Sequence, residues 1–92
     1  MNFIHETNKI YLNDENNHMI AVVTFPKISD NTVNIDHTYV DHSLRGQGVA
    51  GKLMEETVSQ LRNNQWKAKL TCSYAVKWFD QHPEYSDLIT KQ

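Results

Sequence analysis

One cysteine, two prolines and three glycines are all that this chain of 92 residues holds of the types that most constrain a backbone. With Cys72 alone, no internal disulfide can form, and neither C-x-x-C nor H-E-x-x-H occurs. The five histidines are dispersed with no i, i+4 pair, so no metal is expected. A basic excess is missing too. Nine Lys and Arg stand against eleven Asp and Glu, giving a net charge of −2, and the cations are scattered, so nucleic acid is not an expected partner. The longest largely apolar run, Met19–Phe25, is far shorter than the roughly 20 residues of a membrane span, and the N-terminus has neither a basic region nor a cleavage site. The expectation is a cytoplasmic protein with one domain over residues 1–92, monomeric or weakly dimeric.

The little glycine there is stands together. Gly46, Gly48 and Gly51 fall within the stretch Val40–Lys52, where a strand runs through a turn into a helix. Glycine reaches backbone angles that other residues avoid and lets a ligand approach the main chain. The first N–H groups of a helix have no partner within it, and its dipole puts roughly half a positive charge at that end. Helix starts ordinarily favour acids, yet Arg45 and Lys52 flank this one and no acid precedes Glu55. A bound phosphate would turn that disadvantage into charge-assisted hydrogen bonds. The plainer alternative is a surface turn with two solvated cations.

Along the chain, Phe3–Leu12 mixes apolar and polar residues, Ile10–Leu12 being most strand-like, and 13–17 reads as a turn. Met19–Phe25 is a strand ended by Pro26, and Ser29–Asn31 is the next turn. Val33–Val40 then alternates, with Val33, Ile35, His37 and Tyr39 on one face. These strands form an antiparallel meander. Ala50, Leu53, Met54, Thr57, Val58 and Leu61 make the stripe of an amphipathic helix ending at Asn63–Asn64. Trp66 is expected to pack under the returning chain. Lys67–Cys72 alternates with Ala68, Leu70 and Cys72 on one face, and as the end of a crossover unit it should run parallel to the strand ending at Val40. Ser73 is expected to cap a short helix in which Ala75, Trp78, Phe79 and His82 share a face, before Pro83 stops it and Tyr85–Ile89 adds a turn.

Gly46 to Gly51 satisfies G-x-G-x-x-G, the dinucleotide fingerprint. That fold requires several parallel units and an acid at the end of the next strand, whereas a meander precedes this loop and Thr71-Cys72 ends that strand. A nucleoside triphosphate loop fails because no Gly-Lys-Ser/Thr follows. Arg45-Gly46-Gln47-Gly48-Val49-Ala50 resembles instead the Q/R-x-x-G-x-G/A motif of the GNAT superfamily of acetyl-CoA-dependent N-acetyltransferases. More narrowly, 37–40, 45–48, 72–74 and 82–85, in that order, resemble the small single-domain GNAT-like proteins. The resemblance implies an α/β (α+β) fold: a meander, a β-α-β unit whose strands splay, and a short C-terminal helix. It also implies that acetyl-CoA, the acyl donor, is held by Val40, Arg45, Gly46, Gln47, Gly48, Val49, Ala50, Gly51 and Lys52, pantetheine lying between the splayed strands. By the same likeness the N–H of Val40 faces the thioester carbonyl. The additional N-terminal helices of full-length members have no counterpart here, which leaves the acceptor open.

Acetyl transfer needs a neutral acceptor, a polarised carbonyl and a proton for the leaving thiolate. Cys72 ends a strand at the proposed gap, either to donate that proton, to take the acetyl group itself, or to pack as a small apolar residue. His37 is the candidate base, against the plainer reading of a hydrogen-bonded core histidine. Tyr74 is a second acid candidate that otherwise packs, 82–85 is read as docking only, and His5, His18 and His42 as solvated. The expected function is an acyltransferase acting on an unidentified amine or thiol. The alternatives are a CoA-binding or protein-interaction module without efficient catalysis, and, more remotely, a nucleotide-binding protein.

Overall fold

The computed structural model describes residues 2–90. Its elements run β1 (Ile4–Glu6), β2 (Lys9–Asn13), β3 (Met19–Thr24), β4 (Lys27–Ser29), β5 (Thr32–Ile35), β6 (His37–Val40), α1 (Val49–Asn64), β7 (Lys67–Leu70) and α2 (Ser73–Asp80), with 3-10 turns at His42–Leu44 and Pro83–Leu88. The result is the α/β architecture expected, in which the strands divide into two sheets of order β1-β2-β3-β6 and β4-β5-β7.

The stretch 3–12 is two strands, not one: β1 and β2 form a hairpin about Thr7-Asn8, with Ile4 opposite Tyr11 and Glu6 opposite Lys9. The expected meander is borne out in β2 and β3, and β6 joins β3 antiparallel. Between them the short β4–β5 hairpin belongs to the second sheet.

The division turns on Asp36. His37 is already in register with Thr24, yet the Asp36 N–H also donates to the Thr24 carbonyl at 3.2 Å, so two residues oppose one. Such a β-bulge bends its strand and inverts the side-chain phase beyond it. Val33 and Ile35 are fully buried before the bulge, whereas after it Thr38 and Val40 are half-buried and His37 and Tyr39 exposed. The reading that placed His37 on the face of Val33 and Ile35 is therefore corrected. The same bulge separates the sheets. β7 runs parallel to β5, from Thr32 beside Lys67 to Ile35 beside Leu70, and not beside β6. The amides of Thr71 and Cys72 both donate to the Ile35 carbonyl, at 3.2 and 3.1 Å, which holds this chain at the vertex while β6 leaves with β3.

α1 buries Val49, Leu53, Met54, Thr57, Val58 and Leu61, so Val49 rather than Ala50 begins the stripe. Each fully buried aliphatic side chain stabilises by about 1.5–3 kcal/mol, and together they seat the helix on Ile10, Val23, Phe25 and Ile35 in one apolar cluster. Gln65 ends it in the left-handed conformation, with the Trp66 N–H donating to the Leu61 carbonyl at 2.9 Å and the Gln65 N–H to Arg62, a Schellman closure. α2 begins one residue earlier than expected: Cys72 is its N-cap, since its carbonyl accepts from Val76 at 3.0 Å, and Ser73 is the first helical residue. Among the described residues no helix is long and apolar enough to cross a membrane.

Candidate acetyl-CoA site

The turn between β6 and α1 is built from one side chain. Asp41 accepts from the Ser43 N–H at 3.0 Å and the Ser43 hydroxyl at 2.6 Å, starting the 3-10 turn His42–Leu44. The Ser43 hydroxyl and amide hold its carboxyl below the usual range. In the sequence the signal for this role is Asp-x-Ser at the end of a strand, a recognisable turn pattern that the glycine cluster overshadows.

Beyond it, Gly46 (φ +84°) and Gly48 (φ +71°) take left-handed backbone, and Gly48 caps α1. The Gln47 N–H is satisfied by the Leu44 carbonyl at 3.3 Å, and Lys52 closes on Gly48 at 3.1 Å. The N–H groups of Gly46, Gly48, Val49, Ala50 and Gly51 donate to no acceptor among the described residues. They line a cavity of about 360 Å³ shared with Val40, Leu44, Arg45 and Tyr74. Arg45 and Lys52 are exposed, and among the described residues neither makes an ion pair. Of the nine residues assigned to the coenzyme, Gln47 and Lys52 lie outside the lining and the other seven are within it.

The gap between β6 and β7 opens beside this cavity. Asp41 donates its N–H to Ile20 at 2.7 Å, and since N–H directions alternate along a strand, the Val40 N–H points away from β3 into the gap. Across it the Cys72 thiol donates to the Thr38 hydroxyl at 3.5 Å. Tyr74, on the first turn of α2, has its phenol raised above the ordinary value by burial and by the nearby Cys72, so it stays protonated at neutral pH. Thr38, Val40, Cys72 and Tyr74 are thus gathered with the glycine loop, whereas His37 lies on the opposite, exposed side of β6. In the sequence Thr38 falls on the face opposite Val33, Ile35 and His37, and the bulge that turns it inward leaves no apolar signature.

His5, His18 and His42 are exposed, as expected of solvated side chains, and two of them have carboxylate partners. His5 bonds Glu56 at 2.6 Å, tying β1 to α1, and His82 stacks on Trp78 at 3.9 Å. His18 pairs with Asp14 at 3.7 Å, and His42 is exposed in the 3-10 turn.

Five free amides converging on one end of a 16-residue helix, flanked by two free cations, suit a diphosphate, and the adjoining gap suits a thin acyl-bearing chain. Several known proteins resemble the chain as a whole. A GCN5-like protein from Staphylococcus aureus, solved by NMR, is 35% identical and covers 99% of this chain and 89% of its own, with a TM-score of 0.79. A GNAT family acetyltransferase from Elizabethkingia anophelis with acetyl-CoA bound is similar in fold alone, at 18% identity and a TM-score of 0.61 over 82% of this chain and 51% of that one. Protein NATD1 of Xenopus tropicalis is 32% identical over 66 residues, which make 72% of this chain and 61% of that protein, so the match spans about three-fifths of that relative's length. The profile of GCN5-related N-acetyl-transferases matches residues 9–88, and the chain belongs to that family, whose acetyl donor is acetyl-CoA.

Proposed function

We propose that this chain binds acetyl-CoA and transfers its acetyl group to an amine or thiol. The observation that carries the reading is the set of unpartnered amides from Gly46 to Gly51 opening beside two strands that part at Asp36. Gly46, Gly48, Val49, Ala50 and Gly51 would hold the diphosphate through their N–H groups, with Arg45 and Lys52 adding charge. Acetyl-CoA supplies an acetyl group already activated as a thioester. The Val40 N–H, free on the gap side of β6, is the donor for a carbonyl oxygen there, a role in which one hydrogen bond can be worth about 3 kcal/mol. Cys72 holds its proton towards Thr38 and is positioned to deliver it across the gap, with the protonated Tyr74 behind it. His37, the base expected from the sequence, faces away from the gap on the exposed side of β6 and is given no part in the transfer.

Acetyl-CoA at a hundredfold its Kd is expected to stabilise the fold by about 2.7 kcal/mol, raising Tm by on the order of 10 °C for a domain of this size. An unchanged melting temperature at saturating coenzyme would sink the reading. Release of free CoA with a panel of amines, lost in Cys72→Ala and kept in His37→Ala, then separates a transferase from a module that binds without turnover.

A further inference from the structure

Gly51 occupies the third position of α1, on ordinary helical backbone, where alanine is the better helix former. Crowding does not exclude a side chain: a Cβ there would meet Trp78 Nε1 at 3.6 Å and Tyr74 Oη at 3.9 Å, both ordinary contacts. Turn geometry and packing therefore both fail to explain this glycine, unlike Gly46 and Gly48 with their positive φ.

The atom it leaves bare supplies a reason. Trp78 is only 6% exposed, yet its indole N–H donates to no acceptor among the described residues. Every sealed side-chain nitrogen and oxygen among those residues has a partner, so this one is open where it lies, against the Cα of Gly51. Cα–Cβ bonds tilt towards a helix's N-terminus, so an atom beside that empty Cβ position stands alongside the first turn, directly behind Gly51, which itself lines the cavity. The ring cannot easily turn away. It is stacked on His82 at 3.9 Å and on Tyr85 at 5.7 Å, and meets Phe79 edge-on at 5.0 Å.

We infer that the Trp78 indole N–H is a further donor to the diphosphate held at the start of α1, and that Gly51 is glycine because any side chain would cover it. The inference rests on the coenzyme site proposed above. A fixed, neutral donor adds directionality that the flexible Arg45 and Lys52 lack, and it couples the anion to α2, the helix capped by Cys72.

Two-dimensional amide spectra of the whole protein test it, because Trp78 and Trp66 give separate indole signals. Titration with CoA, and equally with 3′-dephospho-CoA, should move the Trp78 indole proton downfield together with the amides of Gly46 to Gly51, while Trp66 stays in place. Pantetheine, which has no phosphate, should move neither group. If the amides respond and the Trp78 indole does not, the inference falls and the coenzyme site stands; if neither responds to CoA, the coenzyme site itself falls and takes the inference with it. An indole that follows CoA but not 3′-dephospho-CoA touches the 3′-phosphate, which also overturns it. Calorimetry supplies a second reading: Gly51→Ala should melt no lower than the parent yet bind CoA about tenfold more weakly, as expected for loss of one hydrogen bond to a charged group. Parent-like affinity in that variant would refute the role given to Gly51.

Discussion

Gly46 and Gly48 show how much can rest on the absence of a side chain. Nothing lies within 4 Å of a Cβ built on either, so alanine there meets no obstacle and the whole cost is left-handed backbone. That cost is roughly 1–2 kcal/mol for a residue with a Cβ, and relaxation of the loop to avoid it would disperse the converging amides. Gly48→Ala is expected to lower stability by about 1 kcal/mol in urea titrations and to weaken CoA more than tenfold, because each displaced amide is a charge-assisted donor. At Cys72 the separation is the reverse. The thiol is half-buried and makes one weak hydrogen bond, so Cys72→Ala should leave the unfolding midpoint almost unchanged while reducing acetyl transfer by roughly a hundredfold, the usual scale of a positioned proton donor. A loss of turnover matched by a loss of stability would assign Cys72 to packing instead.

At the scale of elements, the bulge at Asp36 does what no helix or loop does: it makes one run of strand serve two sheets. Deleting Asp36 would remove the extra residue and its bend, leaving 33–40 to alternate without a break, with His37 still outward and Thr38 still inward but β6 no longer turned away from β7. With the bend lost, the gap between β6 and β7 closes, so we expect the deletion to abolish coenzyme binding and to lower the midpoint of urea denaturation. Asp36→Asn keeps the extra residue and should be nearly silent in the same denaturation experiment. The strand itself was legible in Val33-Asn34-Ile35 and the bulge was not, since His37 and Tyr39 are amphipathic enough to pass for inward residues on either phase. The β1–β2 hairpin escaped for a similar reason: Thr7-Asn8 carries no glycine or proline to mark it. What the sequence displayed best was local, namely the glycine cluster before α1 and the 3.6-residue stripe that ends at Asn64. What it hid was long-range, such as the Trp78 indole lying against Gly51 from another helix.

Across the whole molecule, three ionised carboxylates fasten the places where chain segments meet. Asp14 closes the β2–β3 turn by accepting from the amides of Asn16 and His18 at 2.8 and 2.9 Å, and the His18 amide is the chief cause of its lowered pKa. Asp41 starts the turn into the glycine loop, held low first by the Ser43 hydroxyl. Asp87 joins the C-terminal 3-10 turn to α1 through the Arg62 guanidinium at 3.1 and 3.3 Å, and that hydrogen-bonded cation is what lowers it. In each case the folded pKa lies below the unfolded one, so the contribution is fully present above the unfolded value of about 3.9 and disappears as pH falls through the folded value. Urea midpoints should accordingly be flat from pH 7 to about 5, as far as these groups are concerned, and drop below about pH 4. Asp41→Asn should shallow that drop at low salt and high salt alike, because its stabilisation comes from neutral donors. Asp87→Asn should shallow it mainly at low salt, because an exposed ion pair is screened. The two variants also part in function: without the Asp41 carboxylate the 3-10 turn loosens and the Gly46 to Gly51 amides lose their aim, so CoA affinity should fall at pH 7, whereas Asp87→Asn, at the far end of α1, should bind CoA as the parent does. Equal losses of affinity in both would mean that the loop is held by global stability and not by the Asp41 turn.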